Sequence, residues 1–563
     1  MTASLRAVRA LALLVGFYLM GAVLLALVGI ADWLVFSLPW VTRSPYLVVT
    51  AVAGSMALVV PILLGMFAFL LAGGRSAEEA GRPVTPHEQP ELWAEVLEAA
   101  RAAGTRPPEE VLLTEDLNAA VAERARLLGL LAGRRRLYLG VPLLAGLTVP
   151  RLRAVLAHEF GHFSNQDTRL AVVTMRGRAA VLHTVNAFRH TENGASALVG
   201  GLYVRYAQLF LKVSQSTGRR QELAADQAAA RRAGRDTTAA ALRRIAVLDA
   251  AFDHYVETYA LMGAPVSALP PVGEFFGGFA RMLAARDPRT PAALAAARRT
   301  PRPSPYDSHP PITERVALIE ALPDDGMAED PAAPPASSLL RDQGRLLEEL
   351  EGSALSADAR TMRRLDWPDL VMARAEADAI GWARPLLTAV RRSLRAGATR
   401  EPGATAPHGP AADDPAPEAA TTSPATPSTA MSAPDPATRP EAGQPGLEDV
   451  LNALDDGLLW MEIADRMPKP AQASRLTGRS ARNFIRPALW DALAGLLHLH
   501  LIAEGAAHPD TGWSSRPGLA LPDAWETGFD AALDAAVADT PDTAPLRTLL
   551  TPTLVRPTQP QPL

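Results

Sequence analysis

Residues 155–162 read Val-Leu-Ala-His-Glu-Phe-Gly-His, and His158, Glu159 and His162 within them decide how the chain is understood. Pro150 stands where the first turn of a helix accepts it. Leu152, Val155 and Leu156 supply an apolar face, so 150–163 reads as a buried helix. Histidines at i and i+4 project from one face of that helix, one turn apart. Both imidazoles can then reach one tetrahedral zinc ion. Glu159, beside the first of them, is aimed at the open position, where it can take a proton from a bound water. The competing reading is a surface helix with two chance histidines, and the apolar run Val155-Leu156-Ala157 argues against it.

Two histidines leave such a site incomplete, because a catalytic zinc takes three protein ligands and keeps one position for water. The chain has no cysteine, which removes disulfides, thiolate sites and cysteine nucleophiles and restricts the third ligand to His, Asp or Glu. Residues 219–226, Arg-Arg-Gln-Glu-Leu-Ala-Ala-Asp, offer Glu222 and Asp226 at i and i+4 on a helix of small residues. Glu222 can be the third ligand. Asp226, one turn on, can accept the N–H of a ligating imidazole and fix its tautomer.

Upstream lie two apolar stretches, Ala10 to Ala31 with 22 uncharged residues and Tyr46 to Gly74 with 29. About 20 helical residues cross a hydrocarbon core of roughly 30 Å, so both are read as spans, at about 10–31 and 46–72. Trp33, Trp40 and Tyr46 sit near their ends, as interfacial aromatics do. Arg6 and Arg9 precede the first span, Arg75 and Arg82 follow the second, and the connector has only Arg43. The expectation is a cell-membrane protein with two spans, its N-terminus and everything after the second span in the cytoplasm. A cleaved signal peptide would have a shorter apolar core and a small-residue cleavage site.

The 563 residues carry 55 Lys and Arg against 60 Asp and Glu, a net charge of −5 that argues against nucleic acid as a main partner. Val111 to Thr114 and Arg136 to Val141 read as short strands, 87–104 and 312–322 as helices, and 164–260 as mainly helical. From Ala396 to Gly446, eleven of 51 residues are Pro and none is Ile, Leu, Val, Phe, Tyr or Trp. Such a segment cannot bury enough apolar surface to offset its ordering entropy, and it reads as a disordered linker. Residues 447–540 regain Leu, Ile and four of the nine Trp, as a small helical module would. The expected division is therefore 1–75 for the spans, 76–325 for the zinc domain, 326–395 for a helical extension, 396–446 for the linker, 447–540 for the module and 541–563 for a loose tail.

Taken together, these segments resemble the M48 family of integral-membrane metallopeptidases, the HtpX-like and CAAX-prenyl-endopeptidase-like gluzincins. Asn118-Ala119 is similar to the family's edge-strand motif. VLAHEFGH at 155–162 is similar to its zinc helix, RRQELAAD at 219–226 to its glutamate helix, and SHPPITERV at 308–316 to its late His-Pro-Pro segment with a following Arg. The resemblance covers about residues 1–325. It implies a mainly α fold with a small β-sheet and one Zn²⁺ per chain held by His158, His162 and Glu222. Glu159 would be the general base and Asp226 a partner of a ligating histidine. His309 or Arg315 would stabilise the oxyanion or orient substrate, and Asn118 would help seat a substrate strand. The implied activity is endopeptidase cleavage of polypeptides, membrane-tethered or misfolded, in membrane protein quality control or processing. Many relatives place two more membrane helices between the zinc helix and the glutamate. Here Arg169, Arg176, Arg178, Arg205 and Lys212 fall in that interval, and charge at depth is costly, so two spans are expected. The interval is then an amphipathic surface helix or part of the cleft wall. The alternative function is a membrane-anchored scaffold or signalling protein with a silent zinc site, whose C-terminal module binds another protein. An intact Glu159 disfavours it, since a purely structural site has no need of a base.

Overall fold

A computed structural model describes residues 3–71, 81–123, 133–164, 177, 181–188, 194–286, 310–330, 332–398, 445–469, 476 and 478–551. The expected linker from 399 to 444, His309 and the last twelve residues lie outside that set. The chain divides into two units, residues 1–256 with 272–360, and residues 257–271 with 361–563.

The first unit opens with helices α1 (Ala3–Phe36) and α3 (Pro45–Leu71), joined through the short α2 (Pro39–Thr42). Within them Ala12–Phe36 and Pro45–Leu64 are long and apolar enough to cross a membrane, and only 17 % and 11 % of these stretches is buried. Core helices of that hydrophobicity would be covered; these turn their side chains outward, as lipid-facing helices do. Among the described residues no other helix meets the same test. Ser55 Oγ donates to Asp32 Oδ2 at 2.6 Å and ties the pair together.

A four-stranded sheet follows, in the order β1-β2-β4-β3. β1 (Arg82–Val84) runs antiparallel to β2 (Glu110–Thr114), β2 parallel to β4 (Arg135–Gly140), and β4 antiparallel to β3 (Ala119–Glu123). Val111 and Leu113 of β2 and Leu137 and Leu139 of β4 point to one face, where all four are buried. β3 is an edge strand and pairs with β4 alone among the described residues. Helix α4 (Pro90–Ala102) inserts Leu92, Trp93 and Val96 into the core, and Trp93 Nε1 donates to Val84 O.

The short α5 (Val141–Gly146) leads into α6 (Val149–Ser164), which packs against α4, against the edge strand β3 and against two later helices. Residues 181–188 are helical and form α7. α8 (Gly194–Ala233) is one unbroken helix of 40 residues. Gly234, at a φ of 94° that only glycine takes readily, turns the chain into α9 (Arg235–Tyr255). Helices α10 (Glu274–Ala285), α11 (Ile312–Glu320) and α12 (Gln343–Ala354) complete the unit. Of the interval expected to be a surface helix or part of the cleft wall, α7 and the first half of α8 are described. Tyr203, Ala207 and Phe210 in the first half of α8 join Leu14, Phe17 and Ile62 of the spans and Val181, Val185 and Phe188 of α7 in one apolar cluster.

In the second unit, the helix Trp367–Ala398 crosses Gly478–Ala503 so closely that a side chain at Gly495 would lie 2.7 Å from Ala379 O. This places the end of the expected extension inside the C-terminal module. Ala383, Leu386, Ala389 and Val390 share one core with residues 450–546. The composition break at 396 does not mark where a core ends. Part of the segment expected as a loose tail is ordered. Ala544–Leu550 is helical, with Leu546 fully buried, and Arg547 donates to Asp455, Glu448 and Asn452. Residues 257–271, assigned by sequence to the zinc domain, belong to this unit too. Tyr259 Oη donates to Gly512 O at 2.5 Å, and its ring stacks on Trp513. Ala268 and Leu269 pair in parallel with Arg363 and Arg364.

Candidate metal centre

α6 presents His158 and His162 one turn apart, their rings edge to face with centroids 4.8 Å apart. α8 crosses α6 directly beneath them. The crossing is close because the two helices meet through small residues: a Cβ on Gly161 would lie 3.2 Å from Ala225 Cα and 3.3 Å from Ala228 Cβ. That approach brings Glu222, nine-tenths buried and one turn before Ala225, up to both histidines. Its carboxylate oxygens lie 3.6 Å from His158 Nε2 and 3.7 Å from His162 Nε2, and the two Nε2 atoms are 3.2 Å apart.

These separations test whether an ion fits. Donors on a tetrahedral zinc at about 2.0–2.1 Å stand about 3.4 Å from one another. The three pairs found, at 3.2, 3.6 and 3.7 Å, bracket that value. The donor chemistry also suits: two imidazoles and one carboxylate, all within reach of a common point, form the metal-capable group His158, His162 and Glu222.

Asp226 stands one turn beyond Glu222, with Oδ1 3.0 Å from His158 Nδ1. That contact places the ring proton on Nδ1 and leaves Nε2 to face the other donors. α11 supplies Arg315, whose Nε and Nη2 donate to the two oxygens of Asp226 at 2.9 and 2.6 Å. Its Nη1 lies 3.5 Å from Glu222 Oε2. Burial opposes ionisation of Asp226. The Arg315 hydrogen bonds, helped by His158, outweigh it and draw the carboxyl down to about 2. For Arg315 burial again acts against charge. Asp226 overrides it, with Glu222 and Glu159 adding to the field, and the guanidinium pKa is raised. Glu159 is half-buried on α6, next to His158.

Asn118 lies apart from this cluster, exposed at the head of β3. Its backbone carbonyl accepts from Gly140 N at 2.7 Å, and a Cβ on Gly140 would fall 1.8 Å from Asp116 O, so the turn that launches the edge strand requires glycine there. The structure thus brings His158, His162, Glu222, Asp226 and Arg315 together, with Glu159 beside them. His309 is not among the described residues. Sequence reasoning passed over Gly161 and Gly140, although a glycine inside a helical pattern or at a strand end signals close backbone approach.

Residues 86–322 match the model of peptidase family M48. No curated protein and no solved structure matches the chain. The matched stretch contains the whole cluster, from the edge strand to Arg315. Residues 86–322, which hold the candidate centre, are thus similar to peptidase family M48, a family of metallopeptidases.

Proposed function

We propose that the protein is a zinc-dependent endopeptidase held at the membrane by α1 and α3, with Glu159 as general base. The observation that carries this reading is the donor triangle of His158, His162 and Glu222, whose spacing suits a tetrahedral ion while Asp226 fixes the tautomer of His158. Bound there, zinc would acidify a water and polarise the scissile carbonyl. Glu159 takes the water's proton and later delivers it to the leaving nitrogen. Arg315 has its fork engaged by Asp226, so its part is to hold Asp226 and the Glu222 carboxylate in place. His309 is then the residue proposed to donate to the developing oxyanion.

The substrate is an extended polypeptide segment that adds to β3. The strand's outer edge, unpaired among the described residues, offers main-chain pairing with little sequence preference, and β3 packs beside α6. The bias of Arg6, Arg9, Arg75 and Arg82 over Arg43 places the centre on the cytoplasmic side, facing membrane-tethered or misfolded chains in quality control or processing. In this scheme the C-terminal unit binds a partner protein.

The test is metal content and casein cleavage, measured together on detergent-purified protein, wild type beside Glu159→Gln. About one zinc per chain in both, with cleavage only in the wild type, is the expected result. A Glu159→Gln variant that cleaves as well as wild type sinks the assignment of the base, and protein without zinc sinks the reading as a whole.

A further inference from the structure

Arg135 opens β4, directly opposite Glu123 at the end of the edge strand, and only 8 % of its side chain is exposed. A buried guanidinium is costly unless its donors are satisfied, and here each of its three nitrogens has an acceptor. Nε and Nη2 both donate to Glu123 Oε2, at 3.1 and 2.8 Å. Nη1 donates to Thr105 Oγ1 at 2.8 Å and to the Arg106 carbonyl, both in the turn after α4. The face of the group lies 4.5 Å from the centroid of the Phe163 ring, and Phe163 follows the ligand candidate His162 on α6. One side chain therefore ties the far end of the edge strand, the α4 turn and the end of the metal helix together. The next residue, Arg136, points to the other sheet face and pairs with Glu110, with 20 % of its side chain exposed.

We propose that Arg135 is a positioning residue: it holds β3 at a fixed distance from α6 and so sets how deeply an extended substrate lies against the metal centre. This rests on the edge-strand reading above. The requirement is tight, since a misplacement of about 1 Å in a bound substrate can cost about a hundredfold in rate. Lysine cannot replace the arrangement, because it lacks the planar fork that reaches Glu123 and the turn at once while lying over a ring.

The experiment uses the full-length protein in detergent and two quenched fluorescent peptides. One is long enough to pair along all five residues of β3, and one is cut back to the residues flanking the cleaved bond. Arg135→Lys is expected to keep its zinc and to cleave the short peptide like wild type. On the long peptide it should lose at least about tenfold in kcat/KM, through kcat. Arg136→Lys should match wild type on both. If Arg135→Lys does not fold, Phe163→Leu removes the ring contact alone and should show the same length-dependent loss. Equal losses on both peptides, or none on the long one, overturn the proposal. A wild type that cleaves the two peptides equally well overturns it through the edge-strand reading, and a wild type that cleaves neither refutes the peptidase reading itself.

Discussion

Gly161→Ala is the smallest change that reaches the candidate metal centre without touching a proposed ligand. The added methyl would sit 3.2 Å from Ala225 Cα, 3.3 Å from Ala228 Cβ and 3.5 Å from Ala225 Cβ. Carbon atoms in ordinary contact stand about 3.5–4.0 Å apart, so α6 and α8 must separate by roughly 0.3–0.8 Å at the crossing. Ala225 Cα is backbone and cannot rotate away. Two opposing terms set the stability change. Overpacking costs about 1–3 kcal/mol, and replacing a mid-helix glycine by alanine returns about 1 kcal/mol. Stability should therefore fall by no more than about 2 kcal/mol, and the variant should fold. The proposed metal site has no such slack. Its histidines lie on α6 and its glutamate on α8, and ligand distances hold to within about 0.2 Å. A separation of several tenths of an ångström exceeds that tolerance, and zinc affinity should drop at least about tenfold, or 1.4 kcal/mol. Titration against a chelating indicator gives the affinity, and thermal unfolding in the same detergent gives the stability. A Gly161→Ala variant that binds zinc as tightly as wild type would show that the crossing does not set the ligand spacing.

Two further outcomes follow from other parts of the molecule. Glu88 accepts hydrogen bonds from Thr85 N and Arg82, which hold its carboxyl at about 2 against an ordinary 4.5. A depressed carboxyl stabilises the fold above about pH 4.5 and stops doing so as pH falls toward 2. Glu88 is 40 % exposed, so the effect is below about 1 kcal/mol. Glu88→Gln should flatten the acid limb of a stability-against-pH curve, and an unchanged limb would refute the assignment. A chain ending at Arg360 keeps every proposed catalytic residue but strips cover from Tyr259, Ala260, Ala268 and Leu269, all at most 2 % exposed in the intact chain. Limited proteolysis should cut it within 257–271, and a truncated chain as resistant there as the full one would contradict the division into units.

The candidate centre was largely legible in the sequence because its parts are local and periodic. His158 and His162 announce a shared helix face by their spacing, and Glu222 and Asp226 repeat the same period. What could not be read is what depends on a second segment. Arg315 is singled out by the family resemblance alone, and its hold on Asp226 shows only once α11 docks and its fork closes on that carboxylate. Arg135 sits in a run of three arginines, and only the fold selects the one that is buried. Residues 257–271 have unremarkable composition, so nothing local hints that their partners stand a hundred residues downstream. Ala544–Leu550 is too short and too close to proline for its periodicity to register, yet Leu546 and Arg547 fix it in place.

The charges on α8 fall where the expectation of two spans needs them. Arg205 and Lys212 weighed against further spans, and both are exposed, while Tyr203, Ala207, Phe210 and Leu211 are buried. The helix is amphipathic, and its apolar face is what the spans bury; Tyr206 Oη also donates to Leu13 O at 2.5 Å. Sixteen residues later, about 24 Å along the same helix, comes Glu222. Two contacts therefore locate the ligand-bearing segment, the aromatic cluster with the spans at one end and the Gly161–Ala225 crossing at the other. A helix secured at both ends needs no loop to carry its glutamate. The carboxylate is placed on a rigid element, as a site with sub-ångström tolerance requires.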